Sequence, residues 1–281
     1  MNTLEQFINT NGHKLQLWVF LLLFVASWNI ENIAGTLINY KKWKHAFTNL
    51  PFIFTSIPGQ LLLGMAFIKI IAWSTQHQFG LLYLFPKSVS PLLLFFMSFI
   101  MLDFGEYIYH VIMHKVKRLW MFHAVHHSDM VVDISTTLRE HPGENIVRLS
   151  FTLLWVFISG TFFWMLMLRQ IIQAVTTLFA HVNYRLPDKA DRIIGLVFIT
   201  PNLHQVHHHY KQPFTDCNYG DVLSIWDRLF GTFRRMPAEQ LVFGVDTYMD
   251  KDETTKFVQL AKLPFGKYYK SASNDGKAIL N

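Results

Sequence analysis

Residues 146–182 stay predominantly apolar for 37 positions, and this run limits the fold more than any other feature of the chain. As one helix it would extend roughly 55 Å at about 1.5 Å per residue, nearly twice the hydrocarbon thickness of a bilayer. Two crossings joined by a turn fit better, with the turn at Ser159-Gly160 or at Arg169-Gln170. Three earlier runs, at residues 15–39, 54–73 and 91–114, are each long enough to cross hydrocarbon as a helix. The first is too long for the apolar region of a secretory signal, has no cationic segment closely before it and lacks an A-x-A cleavage pattern, so it reads as an uncleaved span. The fold class expected is therefore all-α: an integral membrane helical bundle with five crossings, forming one membrane domain over residues 1–281.

Charge sets an orientation. Lys41, Lys42 and Lys44 form a short basic loop after the first span, and Lys115, Lys117 and Arg118 follow the third. Positive loops favour the cytoplasmic side, so both clusters give one topology, with the amino terminus outside and the carboxyl terminus inside. The membrane would be a bacterial inner membrane or the endoplasmic reticulum. The formal charge of +6 does not imply nucleic acid, because the cations are dispersed or flank apolar spans. Cys217 is the single cysteine. It excludes an intrachain disulfide framework and any four-cysteine cluster, and leaves the redox compartment open. Beyond Pro187 the chain is less apolar and ends in the polar tail "NDGKAILN".

Of 14 histidines, 11 lie between residues 110 and 209. His110 and His114 share one face of the third span. His123, His126 and His127 in "LWMFHAVHHSD" are related by three and four residues, as are His204, His207 and His208 in "TPNLHQVHHHY". Each triplet is expected to converge on one side of a helical turn, with His209 off that face. His181, in "FAHVNYR", returns to the same membrane edge if the 146–182 run is a hairpin. Any one of these is more often a hydrogen-bonded or exposed histidine than a ligand. Nine at one depth exceed what one tetrahedral ion uses, so two metals are the economical reading, and imidazole alone leaves the metal unsettled. Asp103 and Glu106 lie on the His110/His114 face, where they would receive imidazole N–H bonds. An unpaired Asp103 about two turns inside the membrane would cost about 2.5–3.5 kcal/mol. Asp216, Asn218, Asp221 and Asp227 are placed to brace the last histidine box, and Arg228, Arg234 and Arg235 to meet lipid phosphates.

From residue 95 to 235 the chain resembles the fatty acid hydroxylase superfamily, which includes sterol desaturases, C-4 sterol methyl oxidases and alkylglycerol monooxygenase. The likeness rests on "DFGEYIYHVIMH", "LWMFHAVHHSD", "DISTTLREHPGE", "FAHVNYRLP", "TPNLHQVHHHY" and "NYGDVLSIWDRLFGTF", in that order. It implies that His110, His114, His123, His126, His127, His181, His204, His207 and His208 bind two iron ions that activate dioxygen. His141, in "REHPGE", resembles a family position of lower rank, a ligand or an outer neighbour. Val111, Gly143 and His209 depart from the family's usual Arg, Leu and small residue, which bears on subgroup and substrate.

The implied reaction is hydroxylation, or alternatively desaturation, of a lipid C–H bond in a fatty acyl, alkylglycerol or sterol-like substrate. The chain has no G-x-G-x-x-G nucleotide fingerprint, no haem attachment motif and no iron–sulfur cysteines, so electrons would come from a separate reductase. A histidine-rich metal transporter is the alternative of another class, and an inactive relative a third. Transport sites commonly sit near the midplane, whereas these boxes sit at one edge.

Overall fold

The computed structural model describes residues 3–34, 40–250 and 254–269. The polar tail and the last positions of the first apolar run, residues 35–39, lie outside them. The described residues are helical apart from turns and two isolated bridges, Phe198 with Leu223 and His209 with Phe243.

Among the described residues, helix α1 (Thr3–Ala34), α3 (Pro51–His77), α4 (Pro91–Lys115) and α7 (Phe163–His181) are the four helices long and apolar enough to cross a membrane. Their outer faces stay bare: only 6% of the most apolar window of α1 is buried, and Leu22, Leu61 and Leu92 are each about two-thirds exposed. In water such a belt would not persist; against lipid it loses nothing. Their inner faces share a core that includes Ile8, Phe67, Phe99, Leu102, Trp164 and Met165, joined by Val156 of the helix before α7.

The 146–182 run is a hairpin of α6 (Pro142–Ser159) and α7, and its turn is the Ser159-Gly160 pair. Gly160 has φ 71°, and a Cβ on Gly80 would come within 2.4 Å of the Gly160 backbone, so two glycines let the chain segments touch. Arg169-Gln170 is not a turn: both residues lie within α7. The chain traverses the bundle five times, but only four of the traverses reach the apolarity of a membrane span, because Glu144 and Arg148 occupy the first two turns of α6. The basic loop after α1 is likewise corrected to a short helix, α2 (Lys42–Asn49), in which Lys42 pairs with Glu31 at 2.8 Å.

Contacts fix the directions. Gly12 of α1 faces Met167 of α7, and Glu31 accepts N–H bonds from Ile134 and Asn183. Gly59 of α3 meets Ile146, while Gly105 of α4 is pressed against Trp155. Thus α1, α4 and α7 run toward the end where the histidines gather, and α3 and α6 run away from it. Helix α5 (Lys117–His127), α8 (Asp188–Ile194), α9 (Pro201–His207), α10 (Ile225–Leu229) and α11 (Phe257–Lys262) cover that end.

Candidate metal centre

Four helices deliver the histidines, two of them long spans and two of them short. Helix α4 ends on His110 and His114, α5 on His123, His126 and His127, and α9 on His204 and His207, with His208 as its cap. Thr200 starts α9 by accepting the Leu203 N–H, and Pro201 follows it, so this helix begins at a defined residue within the connecting segment. His181 is the last residue of α7.

The nine imidazoles form two groups. His110, His114, His123, His127 and His207 bring one ligand atom each to within 4.8 Å of one another, as do His126, His181, His204 and His208. The i and i+4 members of each box stay together and the third member crosses over: His126 leaves His123 and His127, and His207 leaves His204 and His208. Each triplet therefore serves both groups rather than one face, and the groups adjoin where the His127 ring lies 4.6 Å from that of His208.

The hydrogen bonds decide which nitrogen faces inward. Nδ1 of His110 donates to the Tyr219 carbonyl (2.9 Å), that of His207 to the Cys217 carbonyl (2.6 Å), that of His114 to Asp216 (3.2 Å) and that of His123 to Glu144 (2.6 Å). A neutral imidazole has one N–H, so Nε2 of each is a bare lone pair. Yet Nε2 of His110 lies 3.1 Å from Nε2 of His123, two lone pairs with no proton between them. Nε2 of His114 and of His207 are buried with no partner. In the second group His181 donates to the Thr177 carbonyl, and its Nε2 lies 3.1 and 2.9 Å from those of His126 and His204. Two nitrogens ligating one ion at about 2.1 Å and a right angle would sit about 3.0 Å apart. The donor set and its spacing fit a cation in each group.

Electrostatics agrees. Burial, and then the neighbouring imidazoles, hold His126, His127, His204 and His208 well below the ordinary histidine range, and His207 at about 3. These rings are neutral at physiological pH, the form that binds metal.

The surrounding residues differ from the sequence reading in part. Asp103 accepts N–H bonds from Val222 and the Trp226 indole, and Glu106 accepts the Thr152 hydroxyl, so neither receives an imidazole. That task falls to Glu144, which the sequence reading passed over although a carboxylate three residues beyond His141 opens an apolar helix. Asp216 serves the first box rather than the last. Asn218 ties the Leu203 and Arg234 carbonyls, and Asp227 accepts the Tyr219 and Gly220 N–H groups; together they hold the loop whose carbonyls orient His110 and His207. His141 caps α6 through Gly143 N–H and faces the Ala261 carbonyl, outside both groups. His209 also stands apart, accepting the Val242 N–H. Arg228, Arg234 and Arg235 are engaged within the protein, on the Gly195 carbonyl, the Gly231 and Phe233 carbonyls and Asp191. His45, unremarked in the sequence, sits between Asp129 (2.7 Å) and Asp133 (3.0 Å) and clamps α2 to the segment after the second box.

Residues 95–232 match the family described as fatty acid hydroxylase. An ornithine lipid hydroxylase of Rhizobium tropici is 30% identical over 145 residues, 50% of this chain and 42% of that protein. Human alkylglycerol monooxygenase is 30% identical over 181 residues, 63% of this chain and 37% of that protein. Methylsterol monooxygenase 2-2 of Arabidopsis thaliana is 28% identical over 197 residues, 68% of this chain and 67% of the relative. The match thus spans well under half the length of the first two. No solved structure matches. Through the core that carries both histidine groups, the chain is similar to the fatty acid hydroxylase family.

Proposed function

We propose that this protein is a membrane-bound, dioxygen-dependent lipid hydroxylase holding two iron ions, one in each histidine group. The observation that carries the reading is the pair of all-imidazole groups with bare Nε2 atoms aimed inward, in a chain whose relatives are lipid and sterol monooxygenases. Bound iron would supply the oxidant for an unactivated C–H bond, from dioxygen. Imidazole suits that task, since thiolates beside such an oxidant would themselves be oxidised.

The chain's own residues hold and orient. Glu144 and Asp216 fix the His123 and His114 rings, and the Tyr219 and Cys217 carbonyls fix His110 and His207, so that four of the five rings of the first group are set before any ion arrives. The apolar spans present a lipid chain from the bilayer side, which replaces diffusional encounter with fixed proximity. One oxygen atom enters the C–H bond and the other leaves as water, consuming two electrons and two protons. A separate reductase supplies the electrons. The histidine end faces the cytoplasm, as the basic residues of α2 and the α4–α5 junction favour, and residues 95–235 form the catalytic core of one membrane domain.

Hydroxylation is favoured over desaturation because the relatives are a hydroxylase and monooxygenases. A transporter is disfavoured because the groups close one end of the bundle instead of lining a path through it. The test is metal content by emission spectrometry: wild-type protein purified with iron is expected to hold two ions per chain, and one ion or none in a folded preparation overturns the two-metal reading.

A further inference from the structure

The exposed apolar surface does not stop at the four spans. Two segments among the helices that cover the histidine end, residues 193–198 after the start of α8 and residues 229–230 at the end of α10, leave Ile193, Leu196, Val197, Phe198, Leu229 and Phe230 between 44% and 69% exposed. The two segments are tied side by side. The Ser224 N–H donates to the Val197 carbonyl, the Ser224 hydroxyl and Arg228 donate to the Gly195 carbonyl, and Phe198 bridges to Leu223. No charged side chain stands between residues 193 and 203. A continuous apolar face of this kind marks a surface that something covers.

Helix α4 shows what lies against it. Phe96, Ile100 and Phe104 are spaced four apart on one face of that span. Phe96 and Ile100 are 52% and 40% exposed toward lipid, while Phe104, next along the same stripe, stacks on Phe230 at 5.9 Å and meets Trp226 at 4.9 Å. The Trp226 indole donates to Asp103, one residue earlier. Helix α10 therefore lies along the lipid-facing stripe of a span and continues it. Counted from Pro91, roughly 30 Å of hydrocarbon takes about 20 residues and closes near His110, which puts Phe104 roughly 9 Å inside that boundary. An apolar face at the headgroup boundary is seated about 5–10 Å deep.

The backbone suits that depth as well. An unpaired N–H is what keeps irregular chain out of hydrocarbon, and the N–H groups of residues 195–199 are paired, with the carbonyls of Asp191, Ile193, Ile194, Ile194 and Val222 in turn. Arg228 is folded back onto the Gly195 carbonyl and the Phe233 ring, and the exposed Lys189 and Arg192 have stems long enough to reach headgroup level. We propose that residues 193–198 and α10 are seated in the leaflet on the histidine side, their apolar side chains among acyl chains, so that beside α4 this end of the protein is sunk into the bilayer and does not stand clear of it. Asp227, in the same helix, holds the Tyr219 and Gly220 N–H groups, so the leaflet-held helix carries the loop whose carbonyls orient His110 and His207. The seat involves no metal and no reaction, and it stands or falls independently of the hydroxylase reading.

The test uses the full chain in phosphatidylcholine vesicles, with a nitroxide on Leu196→Cys or Leu229→Cys. Leu61→Cys on the lipid face of α3 and Lys117→Cys beyond the end of α4 are the references, and wild-type protein carried through labelling gives the background from the buried Cys217. Each label is exposed to dioxygen, which concentrates in hydrocarbon, and to a water-soluble nickel chelate. At both test positions the ratio of dioxygen to nickel collisions is expected to be at least threefold above that at Lys117→Cys and close to that at Leu61→Cys. A ratio equal to that at Lys117→Cys places the face in water and overturns the proposal. Exclusion of both reagents overturns it too, since protein, such as a second copy of the chain, then covers the face. Unmodified protein gives a second reading that no variant can spoil: phosphatidylcholine with a photoactivatable diazirine in its acyl chain should tag residues 193–198 and 229–230, as read by peptide mass spectrometry, and tags confined to the four spans would contradict the seat.

Discussion

Replacing Glu144 by Gln removes one charge and almost no volume from the most constrained outer contact of the first histidine group. Glu144 is fully buried and its Oε1 lies 2.6 Å from His123 Nδ1. A hydrogen bond to a charged partner contributes about 1.5–3 kcal/mol and a neutral one about 0.5–1.5. The amide still accepts, so the loss is about 1–1.5 kcal/mol, near tenfold in metal affinity, within the range seen when such partners of a ligating histidine are changed. Asp216→Asn should cost less, because its bond to His114 is longer, at 3.2 Å, and Asp216 also serves Lys115 and Gln212. The assay is metal retained per chain across a chelator series, with helix content followed by circular dichroism. The reasoning is refuted if Glu144→Gln keeps its metal to the same chelator concentration as wild type. It is refuted equally if Asp103→Asn, whose carboxylate meets Val222 and Trp226 rather than an imidazole, shifts the series as far.

Further outcomes follow from the split of the boxes. His126→Ala and His207→Ala should each lower the iron content by about one ion, from different groups, so that the double variant loses two; His209→Ala should lose none, and equal loss there would sink the assignment. Metal-free protein should unfold on acidification: His207 sits at about 3 when folded against roughly 6.5 unfolded. The unfolded chain then binds more protons between these values, and stability present above pH 6.5 is lost as pH falls toward 3. Circular dichroism across that window checks it, and a flat profile would show that the rings are not buried neutral. Tags at the two ends should be accessible from opposite sides of sealed vesicles, the amino-terminal one from outside; the same side for both would overturn the topology.

Most of the bundle and the nine ligand candidates were legible because both depend on spacing. Long apolar runs have few ways to satisfy their backbone, so 54–73 and 91–114 read directly as α3 and α4. HxxxH and HxxHH patterns announce shared helix faces, and the structure brings those residues together. Spacing along one helix does not say which neighbour lies across from it, which is why the crossover of His126 and His207 was invisible. The outer contacts were misread for the same reason. Asp103 and Glu106 share a face with His110, but α10 and α6 arrive there first with Trp226 and Thr152. Glu144 reaches His123 from 21 residues away, and Asp216 reaches His114 from 102. The carbonyl acceptors at Cys217 and Tyr219 have no signature in sequence, since every residue carries a carbonyl. Arg169 looked like a turn because a buried arginine in an apolar run is costly alone; Asp221 and Glu106 offset that cost from distant segments.

The central claim is that the paired imidazole groups put oxygen into a lipid. Its most direct measurement incubates iron-loaded protein, a competent reductase and a broad lipid panel under heavy-isotope dioxygen, and reads the lipids by mass spectrometry. The expected result is one heavy oxygen atom in a lipid product, absent when iron, reductant or dioxygen is withheld and absent in His126→Ala. Loss of two hydrogens without label would replace hydroxylation by desaturation, and a fully loaded preparation that consumes no dioxygen and alters no lipid would contradict the account.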